Sequence, residues 1–470
     1  MIRLNMIQLL LFTPLVLIPV LLLFRKKILN RIGLLGYAIT YLISTACLIA
    51  VPERYTNYFA VDPLNIVFLA IQALVFSSVA FYHIYFLKAH NYSREWDTYY
   101  TSLLLLFVLC MTGMLLATHL GLFWVLIEAT TLVTAPFLFD EKSKASLEAA
   151  WKYLFICSIG ISFAFVGLTL LFLGAQQINS LFFQDLVASA DKINPFWLLM
   201  SFVFILVGFG TKAGLSPLHS WLPDAHSEAP SPISAMLSGT LLNAAMLGIF
   251  RVFRIMEQAR LDHYPRILLI TMGFLSVTIC AIYTLKTCSF KRMLAYSSVE
   301  HIGIIALAVG IGKAAALAAI IHLVGHSLSK TVLFLTSGNI YDRFHTKQID
   351  EVHGILESDP ISGWIWFLGF LSIAAFPPFP LFFSEFLILK ALFIGGHWLL
   401  AMILFLLLTI VMYGMGNAFL GMGFGKGMIP PARIHIFSLL PQIVLLLLLL
   451  LTSLLPGGLF ALLERAGNFI

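Results

Sequence analysis

Charge is what this chain has least of. Of its 470 residues, 11% are Asp, Glu, Lys or Arg and 60% are hydrophobic. A soluble core of that apolarity would have too little polar surface to cover it, so the composition describes a polytopic membrane protein lying in a lipid bilayer. Cysteine is also sparse. Cys47, Cys110, Cys157, Cys280 and Cys288 form no CxxC and lie in or beside apolar runs, so neither a disulfide framework nor an iron–sulfur site follows. There is no GxGxxG after a strand and no GxxxxGK[ST], hence no legible nucleotide loop. The net charge of +6 argues for no nucleic-acid partner, because the basic residues fall in short loops where they set membrane orientation.

Long apolar runs fill the rest. With roughly 20 apolar residues per crossing, the expected fold is all-α with about fourteen transmembrane helices. They fall near 4–24, 31–51, 62–87, 98–118, 120–139, 148–174, 196–221, 231–253, 266–286, 293–312, 314–340, 361–395, 398–424 and 434–455. No loop is long enough for a soluble domain. The first run ends in Arg25-Lys26-Lys27 without a cleavage pattern and reads as a retained helix. Loops after odd-numbered spans hold most of the basic residues, including Lys88, Lys286, Lys291, Arg292, Arg343 and Lys347. The positive-inside rule then puts those loops in the cytoplasm and both termini outside, although the cluster Arg251–Arg266 opposes this locally.

Two spans are interrupted. In FILVGFGTKAGLSPLHSWLPDAHSEAPSPISAMLSGTLLN, residues 204–243, Pro217 breaks the run beside Lys212, and a polar PDAHSEAPSP turn is expected to follow. In SIAAFPPFPLFFSEFLILK, residues 372–390, Pro377, Pro378 and Pro380 break it beside Glu385. A charge at membrane depth costs at least a few kcal/mol, and a proline frees a backbone carbonyl. Both are tolerated where a segment lines a hydrated cavity, and paired interruptions of this sort are a transporter signature.

Other ionisable groups lie in apolar surroundings. Glu128 sits in GLFWVLIEATTLV and is opposite in sign to Lys212, so the two are expected to pair; the pair either carries protons or is a static bridge orienting two helices. Lys152 lies near the start of the sixth span. His322, His326 and Lys330 are spaced four and four on one helix face, which suits a proton relay, helix–helix hydrogen bonding, or a metal. The metal reading lacks the glutamate of HExxH and a third ligand. Glu300 and His301 read equally as relay elements or a packing pair. His219 and His226 could serve a cavity mouth, Asp224 a helix cap, and Lys390 can snorkel.

These residues resemble a known family: the antiporter-like, proton-translocating membrane subunits of respiratory complex I and its hydrogenase relatives. TKAGLSPLHSWLPDAHSEAPSPISAMLSG carries most of the likeness, which covers nearly the whole chain. IEATTL (127–132), LEAAWKY (147–153) and AYSSVEHIGI (295–304) resemble the F-type branch of the hydrogenase-4 membrane proteins, the formate hydrogenlyase-like one, in particular. The resemblance implies two inverted five-helix repeats, each with a Pro-broken helix. The expected organisation is a three-helix segment at 1–97, repeats at 98–260 and 261–425, and a C-terminal helix at 426–470. It implies proton translocation through Glu128, Lys152, Lys212, His301, His322, His326, Lys330 and Glu385. Asn243 stands where many complex I members have a lysine, and after Pro456 no lateral helix is expected.

The implied function is a proton-moving subunit in the inner (cell) membrane that makes no chemical bond itself. It would work with other membrane subunits and a peripheral redox module in which [NiFe] and iron–sulfur centres can reside. The competing readings are a non-redox cation/proton antiporter subunit, a proton-driven inorganic-carbon uptake subunit, and a static membrane scaffold.

Overall fold

The computed structural model describes residues 2–50, 54–55, 58–90, 92–139, 143–427, 430, 436–454 and 457–469, leaving aside the side chains of 2–5, 54–55 and 436–437. Residues 51, 434–435 and 455, at the ends of two expected spans, lie outside this set, as does Pro456. The described chain is nearly all helix, with one pairing of two-residue strands, Arg54–Tyr55 and Ala60–Val61.

Twelve helices among the described residues are long and apolar enough to cross a membrane. They are α1 (Ile2–Phe24), α2 (Lys27–Ile49), α3 (Pro63–Ala89), α4 (Arg94–Leu116), α5 (Leu120–Leu138), α6 (Lys144–Gly174), α7 (Pro195–Ala213), α9 (Ser231–Gln258), α10 (His263–Thr284), α11 (Phe290–Ile311), α12 (Lys313–Phe344) and α15 (Trp398–Gly423). Between them lie the short α8 (Trp221–Glu228) and the pair α13 (Pro360–Ile373) and α14 (Pro380–Ile394); α16 (Ile436–Ser453) and α17 (Gly457–Gly467) close the chain. At 1.5 Å per residue, neither α13 nor α14 reaches across a hydrocarbon core of about 30 Å alone.

The helices are layered by burial. The most apolar window of α9 is 100% buried, against 17% for α1, so α9 lies at the centre with α11 and α12 beside it. Close approach there comes from small residues. A Cβ on Gly208 would meet the Ala164 nitrogen at 2.5 Å, and one on Gly303 would meet the Gly273 carbonyl at 2.9 Å. Glycine therefore lets α6 pack backbone-close on α7, and α10 on α11.

Both interrupted spans stop in the same way. α7 ends at Gly214, φ +80°, with Leu215 N–H donating to Gly210 O (2.9 Å). α13 ends before Ala375, φ +53°, with Phe376 N–H donating to Leu371 O (2.9 Å). A left-handed residue followed by this wrap-around bond satisfies helix-terminal carbonyls internally. Trp221 Nε1 caps a further one, Thr211 O, at 2.8 Å. Pro217, Pro377 and Pro378 are exposed on the chain's surface, whereas Pro380 is buried at the start of α14.

One expectation is corrected here. The PDAHSEAPSP stretch is not a polar turn: its first six residues lie in α8 and its last two open α9, with Pro223 in the first turn of α8, where a missing N–H costs nothing.

Candidate functional site

A string of buried polar side chains runs between the two interruptions. In the first part, Lys212 is fully buried at the end of α7. Its ammonium donates to Thr131 Oγ1 (2.7 Å) and Tyr153 OH (2.8 Å). Thr131 donates to Glu128 Oε2 at 3.4 Å, and Ser158 donates to Glu128 Oε1 at 2.6 Å. Tyr153 and Thr134 share a further hydrogen bond of 2.6 Å. The expected direct Glu128–Lys212 pair is therefore not made: the Thr131 hydroxyl stands between them. Glu128 and Thr131 lie three residues apart on α5, so one hydroxyl can reach both the carboxylate and α7.

Lys152 is the clearest departure. Its side chain is 44% exposed and pairs with Glu148 (2.6 Å) and Asp224 (3.0 Å). On α6 the inward stripe is Tyr153, Cys157 and Gly160, and Lys152, one residue off that stripe, points about 100° away from it. It belongs to a surface ion cluster: Asp224 on α8 also receives a charge-assisted hydrogen bond from Arg292 on α11. Asp224 is thus an inter-helix bridge and not a side-chain cap.

The middle of the string is at α9, which loosens into a π-turn at Leu237–Leu241. Asn243 follows, donating to Gly239 O (3.2 Å) and Ser327 Oγ (2.5 Å). Among the described residues no side-chain hydrogen bond joins this group to Lys212.

The second part lies between α11, α12 and α14. His322, His326 and Lys330 are all fully buried on α12, but they do not bond to one another. Each instead turns to a neighbouring helix. Lys330 donates to Leu294 O (2.6 Å) and to Ser297 Oγ on α11. His322 Nε2 meets His301 Nδ1 on α11 at 2.9 Å, and its Nδ1 meets Ser384 Oγ on α14 at 2.9 Å. The His326 ring lies 5.3 Å from the His301 ring. Ser384 gives its own proton to Leu381 O (2.8 Å). When both imidazoles are neutral the chain is directed: His301 Nδ1–H donates to His322 Nε2, and His322 Nδ1–H donates to Ser384 Oγ.

Beside this chain is a cavity of about 310 Å³ between α13, α14 and α15, lined by Glu300, Glu385, Thr409 and apolar side chains. Phe386 and Phe405, 57% and 63% exposed, stand at its lateral side. Glu300 also accepts a hydrogen bond from Cys280 Sγ at 3.5 Å. His226 is buried against Phe334, and Lys390 is exposed. His219 is half-buried and bonds to Ser216 at 3.0 Å. Sequence reasoning missed the hydroxyl partners Thr131, Tyr153, Ser297 and Ser384. Their one signal was polar residues on the inward stripes of otherwise apolar helices.

Many apolar helices, two of them ending in a wrap-around turn before a second helix, and a buried charged string define a multi-pass membrane protein of the antiporter-like class. The chain belongs to the NADH:quinone oxidoreductase/Mrp antiporter transmembrane family, whose pattern matches residues 117–411. It is 38% identical over 350 residues to a hydrogenase-4 component F homolog of Methylacidiphilum infernorum, covering 72% of this chain and 73% of that one. Several further curated relatives are longer, and the chain spans about half of their length (44% to 49%). Its fold superposes on a chain of the archaeal membrane-bound sulfane sulfur reductase with a TM-score of 0.90 at 23% identity, covering 99% of this chain and 97% of that one. It also superposes on a chain of Thermus thermophilus respiratory complex I with a TM-score of 0.83 at 23% identity, covering 99% of each.

Proposed function

We propose that this chain is a proton-translocating membrane subunit of a redox-driven complex of the respiratory or hydrogenase type. The observation that carries the reading is the buried string itself: two lysines held by hydroxyls and a backbone carbonyl, and three clustered histidines, lie between carboxylates at its two flanks. Ionisable groups at this depth are costly, and in membrane helices they mark ion pathways and proton relays. Lys212 alternates between Thr131 and Tyr153 as proton donor and acceptor, with Glu128 reached through Thr131. Lys330, His326, His301 and His322 form the second switch, which ends at Glu385. Water crosses the interval at Asn243, whose amide does not titrate. Partner subunits carry out the chemistry, and [NiFe] and iron–sulfur centres belong to them.

Several finer points are part of this proposal. The repeats comprise residues 98–260 and 261–425, with the segments 1–97 and 426–470 flanking them. The matched wrap-around endings before α8 and α14, each in the fourth span of its repeat, support that division. The location is the inner membrane with both termini outside the cytoplasm. Arg251, which argued against that orientation, is buried in α9 with its guanidinium 2.7 Å from Asn65 Oδ1, so it is not a free loop charge; Lys291 on the favoured side is buried as well.

The test is purification in mild detergent through a tag on this chain, with mass spectrometry of the proteins that accompany it. A [NiFe]-hydrogenase-like subunit with iron–sulfur proteins is expected, and Lys212→Ala should abolish proton movement by the assembly while leaving it intact. Recovery of small antiporter subunits alone would overturn the redox-driven reading. Unchanged proton movement in Lys212→Ala would overturn translocation through this chain.

A further inference from the structure

Three helices bring together a set of side chains that no sequence spacing announces. His301 on α11, His322 on α12 and Glu385 on α14 each offer a ligand atom, and these atoms lie within 4.8 Å of one another. Among the described residues this is the one group of three such side chains placed to hold a metal ion. The objection to a metal on α12, that two histidines four apart lack a carboxylate and a third ligand, is answered by other helices. The partner of His322 is not His326 but His301, and the carboxylate is Glu385.

We propose that His301, His322 and Glu385 form a binding site for a divalent transition metal of the zinc class, and that filling it blocks this end of the buried string. The donor set of two neutral imidazoles and one carboxylate suits Zn²⁺ and its neighbours and leaves one position open, unlike the all-oxygen shells of Mg²⁺ or Ca²⁺. Bonds of about 2.0–2.1 Å in a tetrahedral set place donors roughly 3.3 Å apart. The His301–His322 approach of 2.9 Å and the 4.8 Å outer limit bracket that spacing, so side-chain rotations close the site. Access comes from the cavity of about 310 Å³ that Glu385 lines together with Glu300. A bound cation displaces the proton shared by the two imidazoles, because a metallated nitrogen has no lone pair left to accept one.

The binding claim stands on geometry alone; the block of proton movement rests on the function proposed above. The experiment titrates the purified full-length chain in detergent with Co²⁺, read by its d–d absorption, and then competes it with Zn²⁺. One saturable low-symmetry Co²⁺ site per chain, displaced by Zn²⁺, is expected. Glu385→Gln and His322→Gln should each weaken it at least about tenfold, and His326→Gln, one turn away on the same helix, should retain it. Cryo-electron microscopy of the Zn²⁺-loaded protein should show density between the three side chains, a readout that does not depend on the variants folding. Absence of a saturable site, density elsewhere, or unchanged binding in both Glu385→Gln and His322→Gln overturns the proposal. If Zn²⁺ binds there and proton movement by the assembly continues, the site stands and the relay assignment at this end falls.

Discussion

Thr131 and Lys152 reverse the roles that residue type alone assigns them. A threonine in an apolar helix usually back-bonds to its own turn; here its hydroxyl lies between a lysine and a carboxylate, 2.7 Å from the first and 3.4 Å from the second. Thr131→Val keeps the shape and removes the bridge. It should lower proton flux by about tenfold, the worth of one hydrogen bond of roughly 1.4 kcal/mol, as read by acidification of vesicles carrying the assembly. Lys152 should behave in the opposite manner. Its ammonium is in the surface cluster with Glu148 and Asp224, so Lys152→Gln should leave flux near the unmodified level in the same assay, as exposed pairs contribute little. A loss as deep as that of Lys212→Ala would return Lys152 to the pathway.

At the scale of elements, the end of α7 is held by one glycine. A Cβ at Gly214 would run into Leu222 Cδ1, and the residue sits at φ +80°. Gly214→Ala should therefore lose about 1–2 kcal/mol from the backbone alone, seen as a lower thermal midpoint in detergent, with Lys212 two residues away displaced from Tyr153. Gly208 poses a separate demand. It lies against the Ala164 backbone, where an added Cβ would stand 2.5 Å from the nitrogen, so Gly208→Leu must push α6 from α7. Proton flux should fall even though no titratable group is altered, and a variant with normal flux would show that the two helices need not touch for the Lys212 contacts to form.

Across the whole molecule, the chain is joined by polar contacts between distant segments. Asp62, the cap of α3, lies 3.8 Å from Arg251 near the end of α9, with Asn65 bonded to the same guanidinium. Arg251→Ala leaves a carboxylate buried without its charge partner and should cost about 3–5 kcal/mol, read as a lower unfolding temperature and reduced recovery of the assembly. Double replacement with Asp62→Asn should restore part of that loss. Asp224 similarly links α6 with α11 through Lys152 and Arg292.

The sequence by itself determined the class of structure. Apolar runs of membrane length, the prolines of two interruptions and the charges beside them are local properties, since a helix in lipid must satisfy its own backbone and buried charges are too costly to be accidental. Lys212, His322, His326, Lys330 and Glu385 could be singled out for that reason. Tertiary structure decided the partners. Whether Glu128 meets Lys212 directly, whether His322 bonds along α12 or across to His301, and whether Lys152 faces in or out depend on helix rotation and packing distance, which glycine seams such as Gly208 against Ala164 set. The hydrogen bonds of Lys212, His322 and Lys330 come from neighbouring helices, and no spacing along the chain encodes them.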